Sequence, residues 1–150
     1  TDNWRNKIYD NLNKLQNVNI FMNAKFFIND RLSGNFVNLN NIEYAKKMSE
    51  SKIVITTTGP ADLVGTRYFE IMSSNKSLII CNKMDKKVYE NIAIDGFNCV
   101  MFSTITEFID KVNYYLTHEE ERMKIVNQAY KYFLEKHTWD HKVNYLLKNL

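Results

Sequence analysis

The residues best able to do chemistry together lie in one string, Asp62-Leu-Val-Gly65-Thr66-Arg67-Tyr-Phe-Glu70. Gly65 lets a ligand approach the backbone closely. Thr66 and Arg67 stand where a helix is expected to begin, so free N–H groups and the positive end of the helix dipole would face an anion. Glu70 follows Thr66 by four residues and shares its helix face one turn on. A carboxylate there can accept both hydroxyls of a ribose whose phosphates lie at the helix start. The order of groups suits a sugar nucleotide. Arg67 is a fixed cation at a helix N-terminus, where it does nothing for the macrodipole, and it makes more sense there beside an anion. Plainer roles stand next to these. Glu70 could be an ordinary exposed helix carboxylate, Gly65 a turn residue, and Arg67 the partner of Asp62 in a surface salt bridge.

Such a string needs a scaffold. An apolar run, Ile53-Val54-Ile55, and a loop, Thr56-Thr57-Thr58-Gly59-Pro60, precede it; Leu78-Ile79-Ile80-Cys81 follows. Strand, polar loop, helix, strand is the unit with which α/β proteins hold nucleotides at the carboxyl ends of a parallel sheet. Thr58 and Gly59 fall at such a strand end, either touching a ligand or forming the turn. The motif helix is expected over about 66–73, with Asn75 as a left-handed cap.

The remaining elements follow from periodicity and caps. Trp4, Ile8, Leu12 and Leu15 recur at helical spacing and predict a helix over 4–15. Val18 to Met22 predicts a short strand. Residues 23–38 read as irregular, with Lys25, Arg31, Ser33 and Gly34 in a loop; the last three are candidates to reach a base or phosphate. Asn40 and Glu43 form a capping box before a helix bearing Ile42, Tyr44, Ala45 and Met48. A short basic helix is expected around 86–91, a turn at Asp95-Gly96 and a last strand over Cys99–Phe102. Thr104 with Glu107, and Thr117 with Glu120, predict two further helices, and Thr138 a final one carrying Trp139, Val143, Leu146, Leu147 and Leu150. Short apolar strands alternating with helices imply a parallel sheet covered on both faces. The expected fold is α/β, a three-layer Rossmann-like domain with a helical C-terminus, spanning 1–150 as one domain.

Composition excludes other classes. The net charge is +3 over 150 residues, with the signs interspersed, so no basic stripe marks a nucleic-acid partner. Both cysteines, Cys81 and Cys99, lie in apolar runs, which suits buried free thiols of a cytoplasmic protein. No apolar stretch approaches the ~20 residues that span a bilayer, and no signal peptide opens the chain. Three histidines without a cysteine or carboxylate at ligand spacing predict no metal site. His137 is expected to serve a helix terminus rather than to act as a base.

The string from Asp62 to Glu70 resembles the donor-site helix of glycosyltransferases of the two-lobed GT-B architecture. Many retaining members carry an acidic residue, seven intervening residues and a glutamate, the spacing of Asp62 and Glu70. Arg67-Tyr-Phe-Glu70 and His137-Thr138-Trp139 are similar to the spore-maturation-type branch of these enzymes. The resemblance implies the C-terminal, donor-binding lobe of a longer protein that transfers a sugar from a nucleoside diphosphate without a metal. It places Asp62 near the donor sugar in the chemical step, and Arg67, from its own place at the helix start, is expected to join that step by offsetting the diphosphate charge. Thr58, Gly59, Gly65, Thr66, Arg67 and Glu70 are then the donor contacts. Two departures stand out: Asp62 is one methylene shorter than the usual glutamate, and Arg67 replaces a proline. The implied substrate is the nucleotide sugar, with no separate cofactor. The acceptor (glycan, lipid or protein) would be held by the absent N-terminal lobe, so the isolated domain is expected to be inactive. The alternative is a non-catalytic nucleotide-binding or interaction module of degenerate GT-B type.

Overall fold

The run Leu78-Ile79-Ile80-Cys81-Asn82 is buried at every position, and the other elements are laid around it. The architecture is that of a computed structural model, which describes residues 4–21, 26–28, 31–33, 39–58, 63–85 and 87–150. In chain order the elements are α1 (Trp4–Tyr9), β1 (Phe26–Ile28), β2 (Arg31–Ser33), α2 (Asn41–Glu50), β3 (Ile53–Thr56), α3 (Arg67–Ser74) and β4 (Leu78–Asn82). β5 (Val100–Phe102), α4 (Ile105–Thr117), α5 (Glu119–Lys136) and α6 (Trp139–Lys148) complete it. Short 3-10 turns occupy Leu12–Lys14 and Lys87–Tyr89.

The sheet is parallel, in the order β3-β4-β5, with Ile55 beside Ile80 and Ile80 beside Val100. Because side chains alternate across a strand, β4 feeds two cores. Leu78 and Ile80 join Val100 and Phe102 against Ile8 of α1, Phe108 and Val112 of α4, and Ile125 of α5. Ile79 and Cys81 join Cys99 against Met48 of α2, Tyr68, Ile71 and Met72 of α3, and Ala129 of α5. Each such aliphatic or aromatic side chain contributes about 1.5–3 kcal/mol on burial. The fold is thus an α/β, Rossmann-like domain with helices on both faces of a parallel sheet and a helical C-terminus. Both cysteines are free and fully buried, and the Cys99 thiol, against Cys81 and out of water, is held far above its ordinary pKa.

At the amino ends of the strands a buried guanidinium ties layers together. Arg122 of α5 donates to the carbonyls of Lys52 (2.9 Å) and Lys76 (2.8 Å), the residues leading into β3 and β4. It also pairs with Glu119 at 2.6 Å. No helix among the described residues is long and apolar enough to cross a membrane.

Several local expectations are corrected. The helix over 4–15 stops at Tyr9, because the Asn11 side chain donates to the Lys7 carbonyl at 2.8 Å and the Asn11 N–H turns to Ile8 instead. Residues 18–21 form no strand: Asn17 turns the chain at φ 55, and Ile20 and Phe21 remain exposed. Met22, Lys25 and Gly34 lie outside the described residues. Arg31 and Ser33 lie not in a loop but on β2, antiparallel to β1 with Phe26 beside Ser33. The basic helix around 86–91 is only the 3-10 turn.

The caps divide in the same way. Asn40 and Glu43 form the full reciprocal box, with bonds of 2.9 and 3.0 Å. Thr104 accepts from the Glu107 N–H, while Glu107 reaches back to Ser103 N rather than Thr104 N. Thr117 does not open α5. It ends α4, its hydroxyl turned back onto the carbonyls of Asn113 and Tyr114, and His118 takes the N-cap place without a side-chain cap bond. Thr138 holds the N-cap place of α6, but its hydroxyl meets the His141 ring instead of a backbone N–H.

Candidate functional site

Parallel strands fix where the chemistry sits. β3 runs into the loop that opens α3, and α2 runs down into β3, so the first turns of α2 and α3 both lie at the carboxyl end of the sheet. The Asn40 cap sets where α2 starts and thereby places Tyr44 beside the first turn of α3. Two side chains of that turn meet at its phenol. Arg67 Nε donates to the Tyr44 hydroxyl at 3.1 Å, and the hydroxyl donates to Glu70 Oε2 at 3.2 Å. The guanidinium also lies 5.9 Å from the Tyr44 ring centroid. Burial raises the Tyr44 pKa, with Arg67 opposing and Glu70 adding, so the phenol keeps the proton it donates.

Arg67 is the first helical residue, and Thr66 before it already has helical angles, φ −58 and ψ −25, with no side-chain cap. Among the described residues none accepts from the N–H groups of Gly65, Thr66 or Arg67. Gly65 is exposed, its φ is not left-handed, and a Cβ there would meet nothing within 4 Å. The chain therefore does not itself require glycine at 65. Asn75 does occupy the left-handed cap, at φ 51 and ψ 30.

Thr58 sits underneath this group rather than in it. It is buried; its N–H donates to Asn82 Oδ1 at 3.0 Å, and Asn82 Nδ2 donates to its hydroxyl at 3.1 Å. Its carbonyl accepts from Leu63 N at 2.9 Å, closing the loop before α3. Asp62 and Gly59 lie outside the described residues. The structure thus brings Gly65, Thr66, Arg67 and Glu70 together and gives Thr58 a place in the turn. Arg5 adds a further cation at this end, donating to the Thr57 hydroxyl at 3.4 Å.

Sequence reading passed over Tyr44 and Asn82. Tyr44 figures in the sequence only as a residue that the helix after Asn40 carries; the signal available is its place one turn inside a helix that starts at the carboxyl end of the sheet. Asn82 is a polar residue closing an otherwise apolar strand, which could have marked it as a loop anchor. His137 lies elsewhere: its ring packs 5.1 Å from both Phe69 and Tyr132, and burial lowers its pKa. A cleft of about 260 Å³ in the β4–β5 connection is lined by Met84, Asp85, Tyr89, Glu90 and neighbours, without Arg67 or Glu70. Among the described residues no three His, Cys, Asp or Glu side chains are grouped to hold a metal.

A glycosyl transferase-like family model matches residues 5–148. Searches of curated proteins and of solved structures give no match. A match over so much of the chain, on a parallel sheet covered by helices on both faces, shows that this chain belongs to the glycosyl transferase-like family.

Proposed function

We propose that this domain is the donor-binding lobe of a GT-B glycosyltransferase of the spore-maturation type and holds a nucleoside-diphosphate sugar for transfer to an acceptor. One observation carries the reading: the Glu70 carboxylate and the amides of Gly65, Thr66 and Arg67, which have no acceptor among the described residues, lie together at the start of α3, at the carboxyl end of the sheet. The diphosphate lies against those amides, and Glu70 takes the ribose hydroxyls. Arg67 balances the charge that grows on the diphosphate as the sugar–oxygen bond breaks, a task that positioned dipoles and a cation perform without a metal ion. Asp62 approaches the sugar, and Thr58 and Gly59 shape the loop beside it. The exposed apolar side chains of α6, Trp139, Val143, Leu146 and Leu147, support a second lobe that completes a cytoplasmic, hexosyltransferase-type enzyme and brings the acceptor.

Calorimetric titration with uridine and guanosine diphosphates tests the reading. Binding of one of them, lost in Glu70→Ala, is expected. Failure of both to bind overturns it in favour of a degenerate lobe that serves as an interaction module.

A further inference from the structure

Glu70 and Arg67 stand three positions apart on α3, yet they do not form a direct ion pair. They meet through the Tyr44 hydroxyl, which accepts from Arg67 Nε and donates to Glu70 Oε2. Tyr44 comes from another helix, is half-buried, and carries the ring over which the guanidinium lies. One phenol therefore fixes the rotamers of a surface cation and a surface carboxylate, both of which would otherwise sample several positions.

We propose that Tyr44 is the positioning residue of this site, orienting Glu70 so that it discriminates ribose from 2′-deoxyribose. The inference rests on the nucleotide-binding reading above. A carboxylate has two oxygens and about four acceptor positions. Tyr44 occupies one position on Oε2 and aims the rest. A vicinal diol then finds two acceptors at fixed spacing, whereas a single hydroxyl uses only one. The Arg67 Nε–H is spent on Tyr44, which leaves the terminal guanidinium N–H groups for a phosphate oxygen.

The test uses the chain as it stands, with uridine and guanosine diphosphates, their 2′-deoxy counterparts and inorganic pyrophosphate as titrants. Tyr44→Phe keeps the ring under Arg67 and removes only the hydroxyl. It should weaken ribonucleotide binding by about five- to tenfold, the worth of one charge-assisted hydrogen bond. The ribo-to-deoxy ratio should shrink, pyrophosphate binding should change by less than about twofold, and the melting temperature should stay within about 2 °C. In a Glu70→Gln background the same substitution should add nothing. A merely structural Tyr44 would move ribonucleotide, deoxynucleotide and pyrophosphate alike and leave the ratio unchanged. That result, in a wild type that binds, overturns the role of Tyr44 alone. A wild type that binds neither nucleotides nor pyrophosphate overturns the donor-site reading together with this one.

Discussion

Asn82, at the end of β4, and Thr58, in the loop just past β3, hold each other: the Asn82 amide accepts from the Thr58 N–H at 3.0 Å and donates to the Thr58 hydroxyl at 3.1 Å. Both residues are buried. The pair fixes the loop that leads to α3, so the position of the candidate site depends on a residue outside it. Asn82→Ala leaves the Thr58 N–H without a partner and should cost about 2–3 kcal/mol in urea unfolding. Donor affinity should fall with it, because the helix start is then less firmly placed.

Two glycines separate a folding role from a binding role. Gly96 has φ 73, so Gly96→Ala should destabilise by about 1–2 kcal/mol. Gly65 has no left-handed φ and open space where a Cβ would sit, so Gly65→Ala should leave stability within about 0.5 kcal/mol. On the donor-site reading the same change narrows the space beside the free amides and weakens diphosphate binding by at least about tenfold. Thermal melts and titrations of the two variants check both halves.

The clamp at the opposite end of the sheet predicts sensitivity to acid. Arg122, and Lys52 at 3.2 Å, hold the Glu119 pKa at about 2, below its ordinary 4.5. The folded pKa lies under the unfolded one, so the stabilisation is complete above pH 4.5 and is lost as pH falls toward 2. Glu119→Gln should flatten stability against pH in that interval. Arg122→Ala, which strips two carbonyls of a buried charged donor, should cost about 3 kcal/mol or more at neutral pH.

His137 should give a second, milder slope. Burial lowers its pKa below the ordinary 6.5, so the unfolded chain takes up the proton first. Stability should therefore decline as pH falls below 6.5 and level off once the folded ring is protonated as well. His137→Phe should abolish this slope, as read by denaturant midpoints between about pH 7 and pH 5.

The parallel sheet was legible because its strands are short, apolar and separated by helical periodicity; β3, β4 and β5 fall within a residue or so of their expected places. The Asn40 box was legible because both of its partners are local. Thr117 was misread because a threonine three residues before a glutamate fits a cap equally well when its hydroxyl turns back along the preceding helix. The helix over 4–15 failed for a related reason, since periodicity does not register that Asn11 competes for the Lys7 carbonyl. Glu70 and Arg67 could be found from local spacing. Tyr44 could not be found from local spacing, because its meeting with Arg67 and Glu70 joins helices more than twenty residues apart in sequence; only its place near the start of α2 pointed toward this end of the sheet.

Cys81 and Cys99 are sealed from solvent inside the sheet. A thiol-labelling reagent can therefore reach them only when the domain opens, and alkylation becomes an internal clock for that event. Slower labelling in the presence of a sugar nucleotide would time ligand protection without any engineered probe.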